Sequence, residues 1–492
     1  MQKHSALYFW TLFILSVISQ MSLVISNLPM QIHDIAFYFA LFFLIGTAVA
    51  SFGLPFFSLI ILVIIVGLLL LGLKKTAPIA LLAPSIILGF IYFNIFSDLQ
   101  GEEKIVFDEK FVFEGVVYRE PSHNPKSQKI SLKLTPPYHG EVVIYTSEYP
   151  QYKYGDEFRV SGVVSKSPSG AINIVSFPEI ELLESGSASK IKQPLFALKR
   201  RIVENLGRSL NPGSAALISG EILGERAGFT KEFSDAMRMS GTTHIVAISG
   251  YNISILVFSV MFMAGYFVKK KVAFYVSVVF IILFTLMAGA EASVVRAAIM
   301  GIIILSAYQF ERIYSFRNAL TLAAFFMALF DPRILVFDTG FQLSFGALLG
   351  IVYLAPVLKE LLKIKGEEFL SWKSNAVTTL SAQLAVIPIL FHNFGYFSLT
   401  SIIANVLILE VVPITMALGF FVGFVGFLST SLSIIFGWLL NIFTGYQIFV
   451  IDLFSKLALP IWLNSFSFFA AFIYYSILTG FIYYWRIIKD VK

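Results

Sequence analysis

The chain has 492 residues, of which 57% are hydrophobic and only 13% are charged, and its mean hydropathy is +0.81. A soluble globular domain has about 25% charged residues, so this composition excludes a soluble protein and indicates an integral membrane protein. The lack of cysteine excludes disulfides and cysteine-ligated metals. Residues 101–189 carry 9 Lys or Arg and 13 Asp or Glu, so they are acidic at −4, while the rest of the chain is basic at +10.

Hydrophobic segments long enough to cross a bilayer occur in two groups. A bilayer core about 30 Å thick needs roughly 20 apolar residues per helix. The first stretch, 7–25, lacks a small-x-small cleavage site, so we interpret it as a retained helix; the loop charges leave open whether it spans. The predicted segments are 7–25, 35–52, 56–73 and 77–96, then 245–268, 272–290, 293–310, 318–330, 338–358, 375–391, 399–428, 431–457 and 463–485.

Short basic loops between these segments predict their orientation. Lysine and arginine are enriched in cytoplasmic loops, and the basic clusters here fall on one side of the alternating spans. The acidic segment 101–189 should therefore face the opposite, outer side. The clusters are Lys74–Lys75, Lys269–Lys271, Arg312 with Arg317, Lys359 with Lys363 and Lys365, and Arg486 with Lys489 and Lys492.

Residues 101–185 predict a small β domain inserted between the two groups of helices. Polar and apolar residues alternate in runs such as Lys129–Leu134 and Glu141–Tyr145, and turn residues separate the runs. About five short strands in roughly 85 residues fit a small closed barrel, and an OB-like barrel fits best. OB barrels bind single strands with aromatic platforms in a positive groove, but this domain is acidic, so its aromatic residues have a second interpretation as core and turn residues. They are Tyr118, Tyr138, Tyr145, Tyr149, Tyr152, Tyr154 and Phe158.

Residues 186–240 predict a flexible linker followed by amphipathic surface helices. Ser185–Ser189 consists of Ser, Gly and Ala only. Apolar residues at helical spacing surround the basic triplet Lys199–Arg201, which favours a helix anchored on lipid headgroups; contact with an anionic polymer is the alternative. Further helices are predicted over 214–223 and 231–239.

Short motifs follow one another through the second half of the chain. The longest is SGTTHIVAISGYNI at Ser240–Ile253. The others are Gly220–Glu225, Glu291–Ala298, Arg317–Leu320, Asp331–Pro332, Asp338–Phe345, Ala382–Ala385, Phe394–Ser398 and Ala404–Leu407. This series, together with the order of helices, β domain and helix bundle, resembles the ComEC family, the inner-membrane DNA channels of natural competence, over most of the chain.

The resemblance implies an α-helical polytopic membrane protein with an inserted small all-β (OB-like) barrel, in a bacterial inner membrane with the barrel on the extracytoplasmic side. It implies a channel, not an enzyme, that carries single-stranded DNA into the cytoplasm. The implied partners are single-stranded DNA, membrane lipids, a cytoplasmic helicase-like motor and an outer DNA-receptor protein, and homo-oligomerisation stays open. The predicted domains are 1–100, 101–185, 186–240 and 241–492.

Many relatives carry a C-terminal metallo-β-lactamase-like domain, and we expect this chain to lack it. The six histidines form no His-x-His-x-Asp-His cluster. We therefore expect no nuclease activity of that type, no metal and no cofactor. A Gly-rich phosphate-binding loop followed by Lys and Ser or Thr is also missing, so the chain does not resemble an ATP motor.

Polar side chains within the predicted spans are the candidate lining of a DNA path. A bare phosphate charge is costly in hydrocarbon, so a strand needs a hydrated, polar route. Uncharged hydrogen-bonding groups would let the strand slide. The candidates are His244, Ser249, Asn252, Gln342, Ser344, Gln383 and Asn405. Each has a simpler interpretation: a single His near the interface is usually solvated, and Gln383 and Asn405 are suited to hydrogen bonds between helices.

Charged residues in the apolar segments have separate interpretations. Glu291 and Arg296 either form an ion pair at the interface, snorkel to the headgroups, or take part in coupling. Glu410 precedes Val411–Pro413 and stands where relatives are expected to carry an apolar residue or Pro. This predicts a broken helix with a buried acid, for which proton coupling is the functional hypothesis.

Other functions fit parts of the sequence. A secondary transporter of a small anion or a lipid precursor, with the barrel as a regulatory module, is the main alternative, although no convincing inverted repeat is present. An intramembrane hydrolase would use His244 or Glu410, but isolated Ser and His residues do not make a triad without geometry.

Overall fold

The fold is described from a computed structural model. Several features predicted from the sequence fall outside the described residues, namely most of the segment 7–25, Lys74, Lys75, Ser249 and the linker 186–189. The described residues are 7, 8, 10, 12, 32–72, 77–100, 107–124, 127–136, 138, 140–166, 173–185, 191–246, 248, 250–311, 314–364, 372–463 and 467–491. The chain forms two compact units. Unit 1 comprises Met1–Leu99, Ile299–Val406 and Leu459–Lys492, and unit 2 comprises Gln100–Ala298 and Leu407–Ala458.

Helices precede and follow the inserted domain, as the hydropathy predicts. The helices before it are α1 (Ile32–Ser51), α2 (Phe56–Gly72), α3 (Ala77–Ala80) and α4 (Ser85–Gln100). The inserted domain consists of β1 (Lys110–Val117), β2 (Ser122–Asn124), β3 (Ser127–Leu134), β4 (Glu141–Thr146), β5 (Glu157–Val163), β6 (Ser165–Lys166), β7 (Asn173–Ser176) and β8 (Glu179–Glu184).

The second group of helices begins after the linker. These helices are α5 (Lys192–Ser209), α6 (Pro212–Leu223), α7 (Lys231–Ser240), α8 (Gly250–Phe267), α9 (Lys270–Met287), α10 (Ala292–Gln309), α11 (Phe316–Phe330), α12 (Ile334–Phe337), α13 (Thr339–Leu349), α14 (Ala355–Leu361), α15 (Trp372–Phe394), α16 (Ser401–Leu409), α17 (Val412–Val425), α18 (Thr430–Lys456) and α19 (Phe468–Val491). The short strands β9 (Tyr396–Ser398) and β10 (Pro460–Trp462) pair antiparallel in unit 1.

The inserted strands join in the order β6-β7-β4-β3-β1-β5-β8, with β2 paired to β3. Alternation places Ile130 and Leu132 of β3 in the domain core with Phe113 and Phe158, as the period-two pattern predicts. The pairing is antiparallel except between β4 and β7. Among the described residues the strand pairs form an open path, so a closed barrel is not shown, although the small sheet domain is compatible with an OB-like fold.

Within the described part of the chain, six helices are long and apolar enough to cross a bilayer, or seven spans if a bent pair counts as one. The bent pair is α16 and α17, whose axes differ by 50° across Glu410 and Val411. Pro413 in the first turn of α17 lacks the backbone N–H needed to continue α16, which explains the break. The six long segments are Asp34–Ser51, Lys270–Met287, Ala292–Gln309, Thr339–Leu361, Trp372–Phe394 and Thr430–Lys456.

Helix α6 lies outside these spans and is not a surface helix, in contrast to the expectation for residues 214–223. Every residue from Ser214 to Leu223 is buried. The helix packs against α5, α17 and α18 of unit 2. Apart from Glu221, its sequence PGSAALISGEIL is apolar or small on all sides and has no polar face to present to water or headgroups, which explains the burial.

Candidate functional site

The predicted site residues are distributed between the two units. Ser249 lies outside the described residues. Within each unit, the structure connects some of these residues through hydrogen bonds and leaves others on the surface. Unit 1 contains Gln342, Ser344, Gln383 and Asn405, and unit 2 contains His244, Asn252, Glu291, Arg296 and Glu410.

Gln383 and Asn405 of unit 1 lie in a polar cluster between α15 and α16. Gln383 Nε2 donates a hydrogen bond to Ser401 Oγ at 3.0 Å. Asn405 is 1% exposed and follows Ser401 by one helical turn, so the two share a face of α16. Gln383 Oε1 and Asn405 Oδ1 are buried acceptors that receive no hydrogen bond from the described residues. Buried acceptors in native proteins are normally paired, so this cluster has two acceptors that a donor from water or a ligand would satisfy.

Gln342 of unit 1 has a different, local role. It is fully buried on α13, and its Nε2 donates to the backbone carbonyl of Val336 at 2.9 Å. This bond ties α13 to the preceding short helix α12, where Asp338 also caps α13 by accepting from the N–H of Phe341 at 2.7 Å. Ser344 lies half-buried on the same helix. Gln342 Oε1 is another buried acceptor without a donor among the described residues.

The predicted residues of unit 2 divide into exposed and buried ones. His244 is exposed on a single 3₁₀ turn, Thr243–Ile245, and Glu291 is exposed just before α10. Asn252 is buried on α8, where its Nδ2 donates to the backbone carbonyl of Glu221 at 3.2 Å. Glu410 lies half-buried at the break between α16 and α17.

Arg296 is 6% exposed, so it does not snorkel to solvent. Its guanidinium packs against the backbone where α8 begins: a Cβ added at Gly250 would lie 2.9 Å from Arg296 Nη2. Ser293 Oγ also donates to the carbonyl of Ile248 at 3.1 Å. The first turn of α10 therefore contacts residues Ile248 and Gly250 at the start of α8, and the absence of a side chain at Gly250 leaves space for Arg296.

Glu221 was not among the residues predicted from the sequence. It lies on α6, is fully buried, and its Oε2 accepts a hydrogen bond from Thr415 Oγ1 of α17 at 2.8 Å. Gln447 of α18, also fully buried, donates from Nε2 to the same Thr415 Oγ1 at 3.4 Å. Burial raises the pKa of Glu221 to about 8. An acid in the apolar run AALISGEILG is the sequence signal that would have identified it.

The basic triplet Lys199–Arg201 has a structural partner that the sequence did not predict. Lys199 is 8% exposed, so it does not anchor to headgroups. Its Nζ lies 2.8 Å from Glu225 Oε2 and 3.2 Å from Glu120 Oε2, and Arg200 Nη1 lies 3.1 Å from Glu120 Oε1. We call these four residues the charge clamp. It joins the sheet domain, through Glu120, to α5 and to the turn after α6.

The two acids of the charge clamp respond differently to the same lysine. Burial raises the pKa of Glu120, and the neighbouring cations only partly offset it. Burial acts in the same direction on Glu225, but Lys199 and the backbone N–H groups of Arg226 and Ala227 bring its pKa below the ordinary value. Burial by itself favours a lower pKa for Lys199, but the two carboxylates have the larger effect, so the pKa of Lys199 is raised.

The outer face of the sheet carries a basic and aromatic patch. Lys129 of β3 lies directly opposite Tyr145 of β4, and both point away from the core. Burial, followed by the charges of Arg119 and Arg226, lowers the pKa of Lys129, so the three cations are neighbours. Arg119 lies 5.3 Å from the centroid of the Tyr118 ring. We call these five residues the outer-face patch.

Four of the other predicted aromatics of the sheet domain have structural contacts. Phe158 is fully buried in the domain core, and Tyr138 and Tyr152 pack against that core. Tyr154 contacts Phe196 of α5 edge-to-face at 5.1 Å. The interpretation as core and turn residues therefore holds for these four, while Tyr118 and Tyr145 remain on the outer face and Tyr149 is exposed. Among the described residues, no group of three or more His, Asp or Glu is arranged to hold a metal ion.

Long apolar helices before and after an inserted sheet domain in the chain, with buried polar side chains between helices, define a polytopic α-helical membrane protein. A family model described as "Competence protein" matches residues 222–487, more than half of the chain. The chain therefore belongs to the Competence protein family. It is similar to ComE operon protein 3 of Bacillus subtilis (strain 168), with 28% identity over 249 residues, or 50% of this chain and 30% of that relative. The match thus spans less than a third of the relative's length, and no solved structure matches the chain.

Proposed function

We propose that this protein acts in DNA uptake during natural transformation, as the inner-membrane channel through which one strand enters the cytoplasm. Membership of the Competence protein family is the observation that carries the proposal. In this proposal the sheet domain lies on the extracytoplasmic side. A cytoplasmic helicase-like motor and an outer DNA receptor act with it, and the strand is the substrate.

The Gln383–Asn405 cluster supports the proposal physically. A strand within hydrocarbon needs partners for its polar groups. Carbonyl oxygens such as Gln383 Oε1 and Asn405 Oδ1 accept from the N–H groups of bases, and a rotated amide donates to phosphate oxygens. Because these side chains carry no charge, they hold a passing nucleotide without fixing it as a counter-ion would. Asn252, Gln342 and Ser344 are further proposed contacts, as are the exposed His244 and the undescribed Ser249.

Asn405→Ala and Gln383→Ala are each expected to lower DNA uptake about 5- to 100-fold, because a lost hydrogen bond to a buried group costs about 1–3 kcal/mol. The measurement is uptake of labelled DNA in a deletion strain complemented with each variant. Ser381→Ala is the matched control. Ser381 lies on α15, as Gln383 does, and is buried, but its hydroxyl donates within that helix, to the Val377 carbonyl at 2.7 Å.

Immunoblots of the membrane fraction accompany this assay. An equal loss of protein and of uptake would support the packing interpretation of Gln383 and Asn405 instead. Normal transformation in the deletion strain itself would contradict the channel proposal and favour a transporter of small anions or lipid precursors.

The outer-face patch is proposed to bind the strand before it enters the membrane. Aromatic rings and cations on one sheet face are the usual platform for single strands. Although the sheet domain is acidic overall and Tyr118 donates its O–H to Glu141 Oε2 at 2.6 Å, Arg119 and Arg226 lie close enough to Lys129 to lower its pKa, so three cations are available to phosphates. Lys110, in contrast, is already paired with Glu179 at 3.4 Å.

Lys129→Ala and Arg119→Ala are each expected to weaken single-strand binding by the full chain and to reduce the salt slope by about 0.7. Fluorescence anisotropy at several salt concentrations measures both quantities. Lys110→Ala is the control and should bind as the wild type does. Equal slopes for all variants would exclude the outer-face patch as the phosphate-binding surface.

A further inference from the structure

Glu221 of α6 is a fully buried acid of unit 2 with no cation beside it among the described residues. Its Oε2 accepts from Thr415 Oγ1 at 2.8 Å. Its Oε1 is enclosed and has no hydrogen-bond partner among the described residues. Glu120 and Glu225, in contrast, both pair with Lys199. Asp156, which is also buried without an ion pair among the described residues, has a donor for each oxygen, namely the Lys153 backbone N–H and Ser185 Oγ.

The groups facing Glu221 are uncharged on each helix that packs against α6. They are Thr415 from α17 and Gln447 from α18. Asn252 of α8 donates from Nδ2 to the backbone carbonyl of Glu221. On α5, Lys199 is engaged in the charge clamp. Burial raises the pKa of Glu221, hydrogen bonds of Thr415 and Gln447 partly offset this effect, and no charged residue contributes to it.

A carboxylate in such a place would be a buried, uncompensated charge, and proteins avoid this by neutralising the group. A bound proton removes the charge and converts one oxygen into a donor. Gln447 Oε1 is a second enclosed acceptor without a partner in the described structure, so an acceptor for that proton belongs to the same cluster. The packed arrangement of α6, α17 and α18 therefore favours the protonated acid over the ionised one at neutral pH, because the hydrogen bonds of Thr415 and Gln447 only partly offset the burial.

We propose that Glu221 is a proton-binding site that couples proton exchange to the separation and repacking of α6 against α17 and α18. When the helices separate, water reaches the carboxyl group, the O–H bond breaks, and the proton passes to water while the carboxylate becomes hydrated. Repacking requires a proton to be taken up again. The coupling of this cycle to transport rests on the proposed function, but the proton site itself does not.

Infrared spectroscopy of the purified full chain in lipid nanodiscs tests the site directly. The wild type minus Glu221→Gln difference spectrum is expected to contain the C=O stretch of a protonated carboxylic acid at neutral pH, fading as the pH rises above about 8. Thr415→Val should shift the frequency of this band by removing its hydrogen bond. Thr444→Val, the control, should leave it unchanged, since Thr444 bonds Ser214 and Leu440 instead. An ionised carboxylate band at neutral pH would overturn the proposal.

Thermal stability gives a second measurement that does not depend on DNA. Because the pKa of Glu221 in the folded protein lies above the ordinary 4.5, the native state keeps a proton that the unfolded state loses. The stability that Glu221 contributes is therefore complete below pH 4.5 and is lost as the pH rises toward about 8. The melting temperature of the wild type relative to Glu221→Gln should fall over this range. A difference that follows sodium concentration at constant pH would show a metal-cation site instead and would overturn the proton assignment.

Uptake assays connect the site to transport. Glu221→Gln keeps the shape of the side chain but cannot exchange a proton, so uptake should fall about tenfold at normal protein level, a typical coupling effect. A purely structural role predicts wild-type uptake for this variant, which would overturn the coupling. If the deletion strain takes up DNA normally, the proposed function fails, while the infrared result still decides the proton site.

Discussion

Replacing Lys199 with methionine is expected to destabilise unit 2 by about 3–5 kcal/mol, the usual cost of removing one partner from a buried ion pair. Lys199 Nζ lies between Glu120 and Glu225, and its side chain is 10% exposed. Methionine preserves most of the apolar stem but leaves the two carboxylates facing each other, so one of them must take up a proton. The measurement is thermal unfolding of the purified full chain in detergent, followed by circular dichroism.

Arg200→Met is the matched control for this prediction. Arg200 contacts the same Glu120 at 3.1 Å, but its side chain is 49% exposed. Water already screens that pair, so its loss should cost no more than about 1 kcal/mol. Equal effects of the two substitutions would show that burial does not set the strength of the charge clamp. A Glu120→Gln and Glu225→Gln double substitution should recover part of the stability lost in Lys199→Met, because it removes the repelling charges.

Local features of the fold could be predicted from the sequence. The alternation in Lys129–Leu134 gave the inward residues of β3, because strand periodicity depends only on neighbouring residues. The break near Glu410 followed from Pro413, which acts within its own helical turn. Family membership followed from the motif series around Ser240–Ile253, and the match over residues 222–487 confirms it.

Features that depend on distant parts of the chain could not be predicted in the same way. The basic triplet pointed to lipid headgroups because its partner, Glu120, lies in another domain of the sequence. The helix over 214–223 was predicted as a surface helix, because its local sequence does not reveal that α5, α17 and α18 pack against it. The partners of Glu221 come from α17 and α18, so only the tertiary structure shows that its surroundings are uncharged.

The same limit applies to the DNA path. Sequence position identified Gln383 and Asn405 as polar groups within apolar helices, and the structure adds that Ser401 connects their two helices. It also separates them from Gln342, whose amide holds the corner between α12 and α13. A residue with a local bond of this kind has a sufficient structural role. Gln342 Oε1 is also without a donor among the described residues, but the cluster around Asn405 brings two such acceptors, Gln383 Oε1 and Asn405 Oδ1, to neighbouring helices. This cluster is therefore the stronger candidate for contact with a substrate.

Gly89→Leu is expected to prevent the native packing of α1 against α4 in unit 1, at a cost above about 3 kcal/mol. A Cβ at Gly89 would overlap the backbone carbonyl of Phe43, and one at Gly46 would overlap that of Ile86. Overpacking usually costs about 1–3 kcal/mol because side chains can shift, but here the obstacle is the backbone of the other helix. Thr47 Oγ1, which donates to the Gly89 carbonyl at 3.3 Å, would lose this contact as the helices separate.

Gly67→Leu on α2 provides the control, since nothing lies within 4 Å of a Cβ at that position. Both substitutions add the same apolar side chain to an apolar helix, so membrane insertion should be unaffected in either case. Gly89→Leu should therefore reach the membrane but elute as aggregate on size-exclusion chromatography in detergent, whereas Gly67→Leu should elute as the wild type does. A monodisperse Gly89→Leu protein with an unchanged melting temperature would mean that α1 and α4 do not pack through their glycines. In membranes small residues matter for this reason: lipid supplies no hydrophobic driving force between helices, so their association depends on how closely the backbones approach.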